Sequence, residues 1–417
     1  MMKKRLCLVL ALCLALGLSV PALGETSFLT ITNPGMATAA PEAADPEAAP
    51  EEADPEAAPE EIPPLEEVPA PAAEPAPVDN GTLLLSFVGD CSLGDAYGSR
   101  NTPLSLTKVI LEQGTAWPFS TALPFLSADD CSFANLEVVL TTYERGRNKQ
   151  TAFPLIGRPE FARALTEGSV EVVNTVNNHC MDYGAQGYTE SLAALAEQGI
   201  QNFGSLFRKE HPEWDVVTTR TVKGCKIGMV GLSYPQNADL QRIRDRITRL
   251  RDEGCQLVIV SLHWGREKKY PEPNAGQYTF AKKVIEAGAD MIWGHHPHVL
   301  QPVCFYQGKP IMFSTGNFIF GTIADMNPYT GIFQLRYRLD GAGNPTLESL
   351  HVVPMKTHHK YGEYRPELLQ AEEEIRACYG RLVSKKRVNG FDNLPQDFLT
   401  TGTVYVLEDG NLSTGRP

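Results

Sequence analysis

The sequence predicts a layered α/β fold between residues 83 and 320, and two observations carry that prediction. Short apolar runs of strand length alternate with longer helix-like segments, which is the pattern of sheets covered by helices. Most of the apolar runs end in a cluster of polar residues, and the loops that follow strands are where α/β proteins build their sites. The chain has 417 residues, 42% of them hydrophobic, so a sizeable core is available.

The predicted elements follow one another without long gaps. The apolar strand runs are Leu83–Val88, Cys131–Phe133, Val170–Val176, Lys226–Leu232, Leu257–Leu262, Met291–Trp293 and Ile311–Ser314. The helix-like segments are Tyr188–Gly199, Asp239–Gly254 and Gly276–Gly288. After Phe333 the pattern turns to β, and we expect strands over Gln334–Leu339, Leu347–Val353 and Thr403–Leu407, with a helix from Pro366 to about Lys386.

The first 24 residues have the order of a secretory signal peptide. A basic start at Lys3–Arg5 precedes a short apolar run over Leu6–Val20, and Ala22 and Gly24 supply the small residues of a cleavage site. The run is short for a membrane span; a buried helix and an uncleaved anchor are the alternatives. We therefore expect residues 1–24 to direct export, so that the folded part is secreted or associated with the cell envelope.

Residues 25–81 predict a disordered linker. The segment is rich in Pro, Ala and Glu and repeats a nine-residue unit that begins at Asp45 and again at Asp54. It offers too little apolar surface to offset the entropy of ordering the chain, and its carboxylates repel one another. A solvated spacer is the main interpretation, and a specific ligand role such as cation binding is the alternative.

The rest of the chain is nearly neutral, because most of the net charge of −13 belongs to the acidic linker. No basic face is evident, and this excludes nucleic acid as an expected partner. We expect one domain over residues 82–323 and a C-terminal β/α extension over 324–417 that packs on it. The cysteines beyond residue 24 form no CxxC pair, so we expect them to pack as small apolar side chains.

Polar side chains that could bind a metal follow the predicted strands. They are Asp90, Glu137, Asn178, His179, His263, His295 and His298. Oxygen and imidazole donors without a thiolate suit zinc, manganese or iron better than calcium. Each cluster alone has an ordinary explanation, such as a turn, a helix cap or a buried polar pair, but their repetition after successive strands predicts a site for one or two divalent metal ions.

Six motifs in this order resemble those of the poly-γ-glutamate capsule biosynthesis proteins of the CapA type. The segments are Phe87–Gly94, Ala134–Thr141, Val176–Gly184, His263–Glu267, Gly294–Gln301 and Ser314–Phe318. They correspond to the family patterns GDxxLG, NxE, NNHxxDYG, HWGxE, GHxPHVxQ and SxGNF. The resemblance covers Leu83 to Phe320, somewhat over half of the chain.

The family resembles the calcineurin-like metallophosphoesterases, which implies a sandwich of two mixed β-sheets flanked by helices. By this resemblance Asp90 and His298 bind a first metal, and Glu137 bridges to a second. Asn178, His263 and His295 complete the second metal. The catalytic pair is His179, as the proton donor, and Asp182. The supporting residues implied are Asn135, Glu267, His296 and Asn317.

Two functions remain open from the sequence. The first is a metal-dependent hydrolase that acts on a phosphoester, or on an anionic polymer or its linkage to the wall. The second is a metal-stabilised accessory protein that binds polymer or a membrane complex during capsule synthesis. His179 and Asn178 favour the enzyme, whereas Ser92, which stands where the superfamily has a histidine, favours the accessory protein. Arg147, Lys149 and Arg158 either contact anions or are simply solvated.

Overall fold

The computed structural model describes residues 81–233, 239–267, 272–321, 328–357 and 363–416. The predicted signal peptide and the predicted linker up to residue 80 lie outside the described residues. Within the described parts, no helix is both long enough and apolar enough to cross a membrane.

The described chain alternates strands with helices, as the apolar pattern predicts. The strands are β1 Thr82–Cys91, β2 Asp95–Ala96, β3 Cys131–Leu136, β4 Val139–Leu140, β5 Leu155–Gly157, β6 Val172–Asn174, β7 Gln201–Ser205, β8 Asp215–Val216, β9 Thr218–Val222, β10 Cys225–Ser233, β11 Leu257–His263, β12 Met291–His295, β13 Leu300–Tyr306, β14 Lys309–Thr315, β15 Asn317–Ile319, β16 Tyr329–Leu339, β17 Pro345–Lys356, β18 Glu367–Leu368, β19 Asp392–Asn393, β20 Thr403–Val406 and β21 Leu412–Ser413. The helices are α1 Leu106–Gln113, α2 Leu123–Leu126, α3 Arg163–Glu167, α4 Gly184–Glu197, α5 Leu240–Asp252, α6 Ala275–Glu286, α7 Glu372–Tyr379 and α8 Phe398–Thr401.

The strands form two large mixed sheets and one small sheet. The first sheet has the order β21-β20-β17-β16-β1-β3-β6-β7-β8, with β15 also paired to β1 and β18 to β17. The second has the order β19-β13-β14-β12-β11-β10-β9, and the small sheet has the order β2-β5-β4. In the first sheet β1 is parallel to β3 and antiparallel to β16, and in the second β11 is parallel to both β10 and β12.

The two large sheets pack face to face, and aromatic residues fill the space between them. Phe87 of β1 stacks on Phe133 of β3 with ring centroids 4.7 Å apart, and its edge meets Trp293 of β12 at 5.4 Å. Helices α1, α3 and α4 cover the outer face of the first sheet, and α5 and α6 cover that of the second. The strands are apolar on both faces because both faces are covered. The predicted α/β class, with two mixed sheets flanked by helices, is confirmed.

One predicted helix is wrong in its extent. The segment from Pro366 to Lys386 is helical only over Glu372–Tyr379. Residues before it join the first sheet, where Leu368 of β18 pairs with Met355 of β17. Backbone pairing with a neighbouring strand therefore overrides the local helix propensity of this segment.

Candidate metal centre

The predicted site residues meet where the carboxyl ends of β1, β3, β11 and β12 lie side by side. The register fixes their positions: Asp90 is opposite Asn135 across β1 and β3, and His263 is opposite His295 across β11 and β12. All four residues are buried, and His295 Nδ1 lies 3.0 Å from Asp90 Oδ1. Each of the two large sheets thus contributes two strand ends to one cluster of polar groups.

Glu137, directly after β3, is at the centre of this cluster. It is fully buried, and neither carboxylate oxygen has a hydrogen-bond partner among the described residues. Its Oε1 atom instead lies 3.6 Å from His263 Nε2, 3.7 Å from His298 Nε2 and 3.9 Å from His179 Nε2. A buried carboxylate without donors is costly. Metal–ligand bonds of about 2 Å place two ligands of one cation about 3 to 4 Å apart, so the arrangement fits a bound cation.

A first set of donors surrounds His263. Its Nε2 atom lies 2.5 Å from Asn178 Oδ1 and 3.1 Å from His296 Nδ1. Glu137, His263 and His296 each offer a ligand atom, and these atoms lie within 4.8 Å of one another. With Asn178 they form four convergent donors, which we call the His263 group.

A second set of donors, which we call the Asp90 group, consists of Asp90, Glu137 and His298. Their ligand atoms lie within 4.8 Å of one another, and His298 Nδ1 is 3.5 Å from Asp90 Oδ2. The same Nδ1 is 2.9 Å from Asn317 Oδ1. A proton donated from Nδ1 to Asn317 leaves Nε2, the nitrogen that faces Glu137, free to bind a cation.

The adjacent residues His295 and His296 lie differently with respect to the two donor groups. His296, expected only as a supporting residue, belongs to the His263 group and also to a set with Glu267 and His298. No set of three candidate metal ligands among the described residues includes His295. His295 Nδ1 instead lies 3.0 Å from Asp90 Oδ1, and the ligand role predicted for His295 stays a prediction.

Ser92 stands where the superfamily has a histidine, and its hydroxyl makes two hydrogen bonds to the backbone. Its hydroxyl donates to the carbonyl of Gly94 at 2.9 Å and accepts from the amide of Gly321 at 2.8 Å. These bonds tie the loop after β1 to the residues after β15. The hydroxyl is therefore not directed at the Asp90 group, which keeps three protein donors.

His179 lies at the rim of the cluster and is held by Asp182. Its Nδ1 atom is 2.7 Å from Asp182 Oδ2, and its side chain keeps 12% exposure while Glu137 has none. The contact fixes the ring so that Nε2 is the nitrogen turned toward Glu137. This histidine can therefore reach both the buried donors and a molecule bound from solvent.

Buried asparagines support the ligands from behind. Asn135 donates to Asp90 Oδ1 at 2.8 Å, and Asn174 in turn donates to Asn135 Oδ1 at 2.8 Å. Asn177 donates to the carbonyl of Leu136 and accepts from the amide of His179. The sequence reasoning missed Asn174 and Asn177. Asn177 lies inside a motif, whereas the only signal for Asn174 is a polar residue at the end of an apolar strand.

The loop that carries two of the ligands has an unusual backbone. His296 has φ +93° and His298 has φ +56°, and both values lie in the region that side chains other than glycine rarely adopt. Just before them, a Cβ atom on Gly294 would lie 2.2 Å from the carbonyl oxygen of Phe313. Only glycine lets β12 approach β14 this closely. The unusual backbone angles of His296 and His298 persist because the surrounding structure imposes them.

The electrostatics of the cluster suit a cation. Burial would raise the pKa of Asp90, but the contacts with His295 and His298 outweigh it and hold the pKa well below the usual value. Burial raises the pKa of Glu137 well above its usual value, and the charge of Asp90 adds to this. Burial also lowers the pKa of His263, and that of His296 to about 4. Metal ions bind neutral imidazoles and carboxylates, and among the described residues Glu137 has no other positive charge to stabilise its ionised form.

Comparisons with known proteins agree with the motifs. The family model described as "Bacterial capsule synthesis protein PGA_cap" matches residues 84–322. The chain is 28% identical over 289 residues to the PGA biosynthesis protein CapA of Bacillus subtilis (strain 168), which covers 66% of this chain and 72% of that protein. It is also 28% identical over 298 residues to the capsule biosynthesis protein CapA of Bacillus anthracis, with 66% and 68% covered. A crystal structure of the calcineurin-like phosphoesterase YfkN from Bacillus subtilis aligns with a TM-score of 0.36 at 14% identity, over 64% of this chain and 90% of that one.

Proposed function

The chain belongs to the bacterial capsule synthesis protein family PGA_cap, and we propose that it is a metal-dependent hydrolase of capsule polymer synthesis. We further propose that it works outside the cytoplasm after export by residues 1–24, whose basic, apolar and small residues are in the order of a signal peptide. Its substrate would be an anionic polymer or a phosphoester, and its partner a membrane complex that makes the polymer. The names of the two CapA relatives support the link to capsule synthesis.

The observation that carries the proposal is the environment of Glu137. A fully buried carboxylate without a hydrogen-bond donor, and with three imidazole nitrogens within 3.9 Å, needs a positive charge. We assign one divalent cation to the Asp90 group and a second to the His263 group, with Glu137 shared between them. The donor set of oxygens and imidazoles suits manganese, zinc or iron.

When bound, a pair of divalent cations supplies an activated water and polarises a phosphoryl group. The protein does the rest with its own side chains. Asp182 holds the ring of His179 through Nδ1, so that Nε2 delivers a proton to the leaving group. Asn135 and Asn317 hold Asp90 and His298 in place, and His295 contacts the same oxygen of Asp90 as Asn135 does.

A second candidate function is a non-catalytic accessory protein, stabilised by metal, that binds polymer during assembly or export. The observation that favours it is Ser92, whose hydroxyl is committed to Gly94 and Gly321. The Asp90 group then lacks one imidazole and would bind its cation more weakly. A single cation in the His263 group stabilises the fold without supporting two-metal hydrolysis.

Elemental analysis of the exported chain, combined with hydrolysis of bis-p-nitrophenyl phosphate, separates these functions. Two metals per chain and turnover that chelator abolishes support the hydrolase. One tightly bound metal without turnover supports the accessory protein. A chain without metal after incubation with manganese, zinc and iron, and with an unchanged melting temperature, would contradict both.

A further inference from the structure

Two arginines lie on one aromatic ring, that of Tyr97, directly after β2. The guanidinium carbon of Arg100 is 4.0 Å from the centroid of the Tyr97 ring, and that of Arg147 is 3.9 Å from the same centroid. An arginine on an aromatic face is attracted by the ring, which holds the planar group in one orientation. Two like charges on one ring also repel each other, and a nearby anion relieves this repulsion.

Only one of the two charges has an anion. Arg100 donates from Nη2 to both oxygens of Glu144, each at 2.9 Å. Arg147 has no carboxylate within 4.0 Å among the described residues, and its side chain is only half-buried. Arg158, which the sequence also singles out, is exposed and paired with Glu160 at 3.1 Å. Among the described residues, Arg147 is therefore a positioned, half-exposed positive charge without a carboxylate partner.

The backbone ties Arg147 to the proposed proton donor. The amide of the next residue, Asn148, donates to the carbonyl of Asp182 at 2.7 Å. The carboxylate of Asp182 holds His179 and also accepts from the amide of Leu155 at 2.7 Å. Leu155 of β5 pairs with Ala96 of β2, and Tyr97 is the residue directly after β2. The small sheet thus connects the ring under Arg147 to the residue that orients His179.

We propose that Arg147, held on Tyr97, binds a second anionic group of the substrate, on the leaving-group side of the metal centre. The inference rests on the proposed function, because His179 defines that side only as the proton donor. The cations bind the substrate group at which the bond is broken. The anionic group at Arg147 therefore belongs to the leaving group of the substrate. The substrate class is therefore a polyanion whose leaving group carries a carboxylate or a phosphate, for which a planar guanidinium is suited.

Binding to the full, metal-loaded chain tests the subsite. The probes are a γ-linked oligoglutamate as the carboxylate source and linear tripolyphosphate as the phosphate source, measured by calorimetry. Arg147→Ala is expected to weaken binding of at least one probe about tenfold, the loss of one charge-assisted contact. Arg145→Ala is the matched control, because it removes an equal, exposed charge two residues away. Arg147→Lys keeps the charge without the planar group and is expected to recover only part of the affinity.

The outcomes separate this inference from the hydrolase. Loss for oligoglutamate alone assigns the subsite to carboxylates, and loss for tripolyphosphate alone assigns it to phosphates. Equal losses in Arg145→Ala and Arg147→Ala, or no binding of either probe to the unaltered chain, overturn the subsite. Unchanged probe binding by Arg147→Ala, with normal hydrolysis of bis-p-nitrophenyl phosphate, overturns it and leaves the hydrolase standing. Arg147-dependent binding without any hydrolysis overturns the hydrolase and the leaving-group assignment but leaves an anion-binding site at Arg147. Metal content and melting temperature verify that each variant is folded.

Discussion

The two ends of strand β3 each carry a carboxyl group whose pKa is raised, yet their surroundings differ. Asp129, just before the strand, has a pKa raised to about 7 by burial and by the charge of Glu171, and its Oδ2 accepts a hydrogen bond from Ser132 at 2.7 Å. Glu137, just after the strand, has imidazoles around it and no hydrogen-bond donor among the described residues. A raised pKa is common to both, so it does not mark the site. Unpartnered carboxylate oxygens among imidazole nitrogens do.

The largest effect on metal content and hydrolysis is expected from a substitution of Glu137. Glu137→Gln keeps the shape of the side chain but removes the charge that both donor sets share, so both cations should be lost and hydrolysis should fall more than about 100-fold, beyond the loss typical of supporting residues. Metal analysis and turnover of bis-p-nitrophenyl phosphate measure this. Asp129→Asn is the control and should keep its metal. Equal metal content in the two variants would contradict the assignment.

The next effect separates chemistry from metal binding. His179→Ala should keep near-normal metal content and melting temperature, because His179 is at the rim and 3.9 Å from Glu137. Turnover should fall about 10²- to 10⁴-fold, the range for a lost general acid. His263→Ala, in the centre of its group, should instead lose metal and melt at a lower temperature. Loss of metal from both variants to the same extent would place His179 among the ligands.

A finer test compares two adjacent histidines. His296→Ala removes a member of the His263 group and should lower the content of one metal, whereas His295→Ala removes a contact to Asp90 and should leave both metals bound. Affinity in His295→Ala should fall about 10- to 100-fold at most, as for other residues that orient ligands. Competition with a chelator of known affinity measures both. Greater metal loss in His295→Ala would restore the assignment implied by the family resemblance.

The smallest effect concerns Asp129 alone. Its folded pKa of about 7 lies above the unfolded value of about 3.9, so the folded state keeps the proton longer and stability falls as pH rises through that window. Asp129→Asn removes this loss and should raise the melting temperature at pH 8 by about 2–4 °C, with no gain at pH 4. Thermal unfolding at the two pH values measures it. An equal shift at both would show that the carboxyl group does not titrate as described.

The strand-end positions of the site were predictable because each is a local signal. An apolar run followed by Asp90, Glu137, Asn178 or His263 can be read without knowledge of the rest of the chain, and parallel strands bring such ends together. The family motifs added the expected pairing of His179 with Asp182. The assignment of these residues to individual metals stays a prediction.

Other features depend on contacts that no local pattern contains. Which of His295 and His296 faces the other donors depends on the left-handed backbone of the loop. A different backbone conformation there would turn the other of the two side chains toward the site. Asn174 matters only because Asn135 lies beside it on the next strand. The segment after Pro366 joins β17 rather than continuing a helix. The predicted boundary at residue 323 also stays a prediction, but β16, beyond it, pairs with β1.

That pairing has a consequence for how the protein reaches its folded state. Leu85 of β1 is opposite Leu335 of β16, a separation of about 250 residues, and contacts this distant in sequence slow folding because the intervening loop must close first. The Asp90 end of β1 also pairs with β15, whereas residues 82–87 gain their second neighbour only once β16 has been synthesised. Cation capture by the Asp90 group has to wait for His298, the last of its three donors in the sequence. A chain cut at residue 322 would leave residues 82–87 of β1 as an open edge prone to aggregation.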